Sequence, residues 1–367
     1  MKRIFPLITL LSLVSCANIE GEKEAPQRQN WPDYTVFYFY DGIVNDSNYG
    51  DLYGDVEAIT IVGHNISNKF GEIVKTEIKF KHFHKLNLNG DVIETITTNY
   101  GPIETEHHYS FKYDSHGKQL EHNAFNRDGS LESKNYYKYD SKGNLLEDNK
   151  FFQEDSTFSQ KTLYRYDEHG NLLENANYNR DGILLEKILY KYDSQGNMTE
   201  ETHYNSDGSL KVIVFCMVDD KLCGVCKQTY KHDSQGNVTE ESSYSETGLL
   251  LSKHLYKYDL QGNKIEEREY NASGSPISKA LYKYDLQQNM IESIYYNSNN
   301  TISSRYLYKY NEHGRMIEKS VYNNVGSLRW KICFKYDLGG NWIEKTTYKG
   351  EIMEPIRIVE RDIIYRK

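Results

Sequence analysis

Along most of the chain, aromatic and cationic residues alternate, stop at an acidic residue, and resume after a glycine. The clearest instance is Leu189-Tyr190-Lys191-Tyr192-Asp193-Ser194-Gln195-Gly196-Asn197. Two aromatic side chains separated by one polar residue set a two-residue period, which predicts a strand whose two faces differ. The Asp-x-x-Gly that follows is turn chemistry. Asp hydrogen-bonds its own turn, and Gly takes the positive φ that a short hairpin loop requires. The pattern predicts strand, turn, strand and turn, with no long amphipathic helix.

The phrase recurs at a nearly fixed interval. Its acidic residue, Asn in one copy, stands at 114, 140, 167, 193, 233, 259, 285, 311 and 337, a spacing of 26 broken once by 27 and once by 40. A worn copy keeps Asn87, Gly90 and Glu94 at the same offsets. A period in this range marks a repeat array in which each unit buries its faces against its neighbours. With the acidic residue as position 0, position −3 is always Tyr or Phe, −2 is Lys or Arg, and −1 is Tyr except for His232. Position +3 is Gly except for Gln288, +7 is Glu in all nine copies, and +11 is aromatic in all nine. A second turn sequence follows near +12 to +15, as in Asp181-Gly182 and Asp207-Gly208. The predicted fold is all-β: about ten 26-residue, two-stranded units forming a long antiparallel meander, twisted or coiled into an open shell or spiral.

If position 0 closes against +4, then −3 faces +7 and the odd positions share one face. That face would carry the Tyr pair, Glu at +7 and the aromatic at +11. Its candidate ligand contacts are Tyr164, Tyr190, Tyr256 and Tyr282 at −3, with Tyr178, Tyr204, Tyr270 and Tyr296 at +11. Aromatic rows of this kind stack on sugars or pack against partner proteins. The repeated Glu is read as a structural ladder satisfied by tyrosyl hydroxyls and nearby cations, because an enzyme builds one site and not nine equivalent ones.

The flanking segments differ in character. Residues 1–15 carry Lys2 and Arg3 and then the apolar run Ile4 to Val14, an export signal too short to span a bilayer. Leu13-Val14-Ser15-Cys16 closes it. Residues 16–32 form a polar tether, 33–86 irregular capping strands, 87–350 the array, and 351–367 a terminal edge strand with flanking charges. The long interval holds an extra hairpin at about 211–228 with Cys216, Cys223 and Cys226. One disulfide among these three, unpaired buried thiols, or a metal site are the readings open to them; in an oxidising compartment the disulfide is favoured.

The net charge of −9 falls to about −11 once Lys2 and Arg3 leave with the signal. Lysines are spread one per strand and not clustered, which argues against a nucleic-acid partner. No phosphate loop, nucleophile elbow or zinc-protease helix is present. No catalytic residue, cofactor or metal is therefore expected.

Two resemblances follow from these residues. Tyr-x-Tyr-Asp-x-x-Gly-Asn with a distal Asp-Gly resembles the YD repeat of the Rhs family over about residues 79–350. The resemblance implies a β sheet that coils into an open or closed shell, in a protein exported or displayed at the surface; some of the relatives enclose a C-terminal toxin, and this chain is expected to depart from that type. Leu13-Val14-Ser15-Cys16 resembles a bacterial lipobox, with Cys16 as the acylated residue, and Ala17 after it resembles the outer-membrane lipoproteins of Gram-negative bacteria. Short repeat lipoproteins of Bacteroidota-type bacteria are similar in form. The expectation is a non-catalytic binding or scaffold protein, facing the periplasm or the cell exterior, with a polysaccharide or surface protein as partner. The alternative is a shell fragment or accessory of an Rhs-type toxin or contact-dependent system.

Overall fold

A computed structural model of the chain describes residues 52–366, with 70–71, 153–157, 213 and 219–220 excepted. The export signal, Cys16, the tether and the run Val36–Tyr40 lie outside the described residues. The N-terminal strands are β1 (Val56–Lys69), β2 (Glu72–Leu86) and β3 (Val92–Asn99). The array continues through β4 (Thr105–Tyr113), β5 (Gln119–Phe125), β6 (Leu131–Tyr139), β7 (Leu145–Phe152) and β8 (Gln160–Tyr166). Then come β9 (Leu172–Asn179), β10 (Leu184–Tyr192) and β11 (Met198–Asn205). The inserted hairpin is β12 (Val214–Val218) and β13 (Lys221–Val225), a separate two-stranded sheet. The array resumes with β14 (Lys227–His232), β15 (Val238–Tyr244), β16 (Leu250–Tyr258), β17 (Lys264–Asn271) and β18 (Pro276–Tyr284). It ends with β19 (Met290–Asn297), β20 (Ile302–Tyr310), β21 (Met316–Asn323), β22 (Leu328–Tyr336), β23 (Trp342–Lys349) and β24 (Glu354–Tyr365).

Twenty-two of these strands belong to one sheet, and β1 pairs with β24 as well as with β2. The ladder of antiparallel strands is therefore closed from first to last, and the expected open or coiled meander is corrected. β24, expected as an edge, pairs with β23 on one side and β1 on the other. The physical reason is that an open sheet leaves a row of unpaired N–H and C=O groups at each edge, and closure removes both rows. The insertion does not interrupt this sheet, because β11 pairs directly with β14.

The turns follow the expected chemistry. Asp193 Oδ1 accepts the backbone N–H of Gln195 and of Asn197, both at 2.9 Å, and Oδ2 accepts the Asn197 side-chain amide at 3.1 Å. The same Asp–Asn pairing recurs at Asp140, Asp167, Asp233, Asp259 and Asp285, which explains the Asn after the glycine. Gly196 has φ 80°, whereas Gln288 adopts φ 66° in the same place without being glycine. A left-handed conformation costs a non-glycine residue roughly 1–2 kcal/mol, part of it offset by the larger unfolded-state entropy of Gly. Gln288→Gly is accordingly expected to raise the unfolding free energy by up to about 1 kcal/mol, read by urea denaturation; a loss of stability would contradict the strain.

The register contains one residue that the periodicity does not show. Tyr192 faces Met198, but Lys191 faces Glu200, so Thr199 is an extra residue. The second turn behaves alike: Leu184 faces Tyr178 and Glu186 faces Asn177, leaving Leu185 over. A bulge of this kind moves every later side chain to the other face. Tyr190 therefore faces Glu201 and not Glu200. The expected single face with Tyr at −3, Glu at +7 and an aromatic at +11 is corrected to two. One face, the tyrosine face, carries −3 with +8. The other, the lysine face, carries −2 with +7 and −6 with +11, as Lys187 opposite Tyr204 shows.

The described residues divide into two compact units, one holding Tyr136–Tyr306 with Asn323–Gly326, the other the chain to Asn135 with Leu307–Tyr322 and Ser327–Lys367. The second unit contains the closing seam and an apolar core of Leu52, Val56, Ile59, Ile61, Phe80, Leu86, Trp342 and Val359. Across the seam Ile59 pairs with Ile363 and Ile61 with Arg361. Arg361 and Lys345 both lie over the Trp342 ring, at 3.8 and 4.0 Å from its centre.

Candidate functional site

On the lysine face most of the repeated glutamates are clamped by two cations, as a rule one from the strand on either side; Glu174 and Glu344 meet one each, Arg165 and Lys335. Glu200 meets Lys191 of β10 at 2.7 Å and Lys227 of β14 at 2.6 Å. Glu240 meets Lys231 and Lys253, and Glu318 meets Lys309 and Lys331. Burial pushes the Glu200 carboxyl up, but hydrogen bonds and charge from Lys191 and Lys227 outweigh it and hold the group below the usual carboxylate range. The carboxylate lies low while its −2 partner reaches out: the Glu200 side chain is 19% exposed and that of Lys191 68%. In the same band as the −6 lysines lie the +11 tyrosines, with Lys187 over the Tyr204 ring and Lys279 over Tyr296.

The tyrosine face is built differently. Several of the −1 hydroxyls donate to a backbone carbonyl about one repeat earlier: Tyr192 to Leu172, Tyr258 to Val238, Tyr284 to Lys264 and Tyr336 to Met316. These bonds staple one repeat to the next, which accounts for Tyr at −1. Burial pushes the Tyr258 phenol up to about 12, with nearby carboxylates adding to the shift. Tyr258→Phe is expected to cost about 1 kcal/mol in a thermal or urea transition; no loss would mean that the hydroxyl is satisfied by water.

From β11 to β18 this face holds a series of polar clusters. Glu201, only 1% exposed, lies 2.6 Å from His203 Nε2. Tyr230 donates to Gln228, and Gln228 donates to Glu241. Tyr256 donates to Glu241 Oε2 at 3.1 Å, and Tyr282 donates to Glu267 Oε2 at 3.2 Å. Lys264 lies 2.8 Å from Glu267 Oε2 and over the rings of both Tyr256 and Tyr282. His254 Nδ1 is 3.7 Å from Glu267 Oε1, an ion-pair contact too long for a hydrogen bond. Burial alone would raise the Glu267 carboxyl, but His254 and Lys264 bring it down to about 2. Burial would lower His254, and the carboxylates of Glu267, Glu269 and Glu241 more than offset this, leaving it above its ordinary value.

The predicted tyrosines thus fall on opposite faces. Tyr190 and Tyr282 are buried at 8% and 6% exposure, while Tyr164 and Tyr256 are half-buried beside them on the tyrosine face. Tyr178, Tyr204, Tyr270 and Tyr296 are half-buried on the lysine face. The structure groups each set of four and does not join the two. The hydroxyls of Tyr256 and Tyr282 are held by Glu241 and Glu267. The repeated +7 Glu is met by cations, whereas the tyrosyl hydroxyls expected beside it serve the other face.

The residues that give the tyrosine face its individual chemistry stand at +8, which sequence reasoning passed over because it varies. A usable signal existed: three successive copies read Glu-Glu at +7 and +8, namely Glu200-Glu201, Glu240-Glu241 and Glu266-Glu267. Cys226 is buried and free, and burial pushes its thiol up. The β12–β13 register places Cys216 opposite Cys223. Among the described residues, no three metal-ligating side chains converge.

No protein-family model and no curated protein matches the sequence. Among solved structures, the chain is similar to TcdB2-TccC3 without its hypervariable C-terminal region, at 14% identity and a TM-score of 0.33 over 75% of this chain. It spans about 15% of the length of that protein. It is also similar to a porin-like protein from Bacteroides uniformis, at 12% identity and a TM-score of 0.28 over 84% of this chain and 98% of that one. A porin-like protein from Bacteroides vulgatus gives 10% identity and a TM-score of 0.26 over 74% and 97%. These are likenesses of β structure.

Proposed function

We propose that this chain is an exported lipoprotein of the YD-repeat type, acylated at Cys16 and held at the outer membrane facing the periplasm or the cell exterior. Its β array serves as a non-catalytic binding or scaffold surface, with the lysine face engaging a glycan or a partner protein. The observation that carries this reading is the division of labour between faces. Tyrosines at −1, and at −3 in Tyr256 and Tyr282, use their hydroxyls to hold the sheet together. Those at +11 stay half-exposed beside lysines in repeat after repeat. An amphipathic ring with a cation next to it suits sugar stacking and protein contact alike.

The test is saturable binding of the full chain to a broad panel of host and bacterial polysaccharides. Changing Tyr204 and Tyr270 together to Ala is expected to weaken binding by at least tenfold while leaving the fold intact. If binding survives that change, the surface lies elsewhere. Anchoring is tested separately by incorporation of labelled fatty acid, which Cys16→Ser should abolish.

A further inference from the structure

From β8 to β19 the ladder is continuous through β9, β10, β11 and β14, and the −2 cation recurs on alternate strands. Arg165, Lys191, Lys231, Lys257 and Lys283 form this row, with side chains 66%, 68%, 70%, 64% and 65% exposed. Each lies two strand spacings from the next, so the charges repeat at about 10 Å. The partner of Arg165 is Glu174, 27% exposed; those of the four lysines, Glu200, Glu240, Glu266 and Glu292, are only 19%, 18%, 15% and 8% exposed, and each of these four meets a second cation, Lys227, Lys253, Arg268 or Arg305. Solvent meets ammonium and guanidinium groups there, with about two cations for each sunken carboxylate. The turn aspartate of each repeat stands two residues beyond its −2 cation, and its carboxylate is taken up by the turn, as Asp193 is by the backbone N–H of Gln195 and Asn197 and by the Asn197 amide.

We propose that this row is a track for a linear acidic polysaccharide carrying one carboxylate or sulfate per disaccharide, laid across the strands. The proposal rests on the lysine-face reading above and adds the class of ligand. Such a polymer presents its anions at an interval comparable to the row, so one anion meets one cation per repeat without bending. Duplex nucleic acid carries a charge about every 1.7 Å along its axis, far denser than the row. A polyuronate charged on every sugar brings an extra anion into each interval, over the intervening strand that carries the +7 glutamate, as β11 carries Glu200 between β10 and β14. The +11 tyrosines lie four residues along the strand from Glu at +7, about 13 Å away, within reach of substituents on the same chain.

The experiment compares binding of the full chain to hyaluronan, polygalacturonate and dextran, which carry one charge per disaccharide, one per sugar and none. Hyaluronan is expected to bind best and to be released as salt rises. Combining Lys191→Gln, Lys231→Gln, Lys257→Gln and Lys283→Gln should weaken it roughly tenfold, taking each exposed contact as a factor of about two. Each Glu keeps its second cation, so the fold should persist; the matching Lys→Arg set should restore binding. Equal binding of polygalacturonate, indifference to salt, or no effect of the Gln set would overturn the track. Dextran binding that depends on Tyr204 and Tyr270 would overturn it while leaving the broader glycan reading standing. Absence of binding to all three, with a blank polysaccharide panel, would remove both.

Discussion

Replacing Trp342 with alanine is expected to cost about 3–5 kcal/mol and to weaken the sheet where its first and last strands meet. Trp342 is 7% exposed and packs with Ile59, Ile61 and Val359, the residues of β1 and β24 nearest the seam. Removing the indole leaves a cavity that strands on both sides are too constrained to fill. It also strips the ring that covers Arg361 and Lys345, themselves 3% and 7% exposed. A cation over an aromatic face gains roughly 0.5–2 kcal/mol, more as it is desolvated. Trp342→Phe keeps an aromatic face and should lose clearly less. Urea unfolding of the two variants is the measurement. A loss below about 1 kcal/mol for Trp342→Ala would show that the seam does not depend on this core.

The second large effect concerns Glu267. Glu267→Ala is expected to destabilise the chain by about 3 kcal/mol, because it leaves a cation and an imidazole without their carboxylate in a poorly hydrated network. The same ion pair predicts the pH dependence. The Glu267 carboxyl is depressed to about 2 from an ordinary 4.5, so its contribution is fully present above about pH 4.5 and is lost as pH falls toward 2. At about 1.4 kcal/mol per pKa unit, the loss is of the order of 3 kcal/mol. His254 is raised, so its contribution is fully present below its unfolded value near 6.5 and is lost as pH climbs through the folded one. These two arms describe one interaction from either end and are not additive. The clamped glutamates at +7 add to the acid arm, since Glu121, Glu147, Glu200, Glu240, Glu266, Glu292, Glu318 and Glu344 all lie below the usual range. Unfolding free energy followed against pH should therefore fall steeply below about pH 4.5, and less steeply in Glu267→Gln. His254→Gln should remove the decline on the alkaline side. An acid limb identical in wild type and Glu267→Gln would sink the assignment.

The positions that vary from repeat to repeat matter as much here as those that do not. Glu at +7 draws the eye because all nine copies have it, yet its task is to tie lysines of adjacent strands together. Position +8 ranges from His122 through Glu201 and Glu267 to Lys345, and it decides the chemistry of the opposite face. That distinction was hidden because a bulge adds a residue without altering the phrase: Thr199 reads as one more strand residue until its neighbours' partners are seen.

The strands, the two turns of each unit, the 26-residue period and the inserted hairpin were legible in the sequence alone, because each rests on local chemistry: alternation, Asx turns and glycines at positive φ. Two things depended on the tertiary structure. Which residues share a face was decided by the bulges, since a slip of one residue reverses every side chain beyond it. Whether the sheet ends or closes was decided by β1 meeting β24 across more than 280 residues, as Ile59 with Ile363 and Ile61 with Arg361. No local pattern encodes that meeting; it follows from the unpaired hydrogen-bonding groups at two edges finding each other and from Trp342 packing over the join.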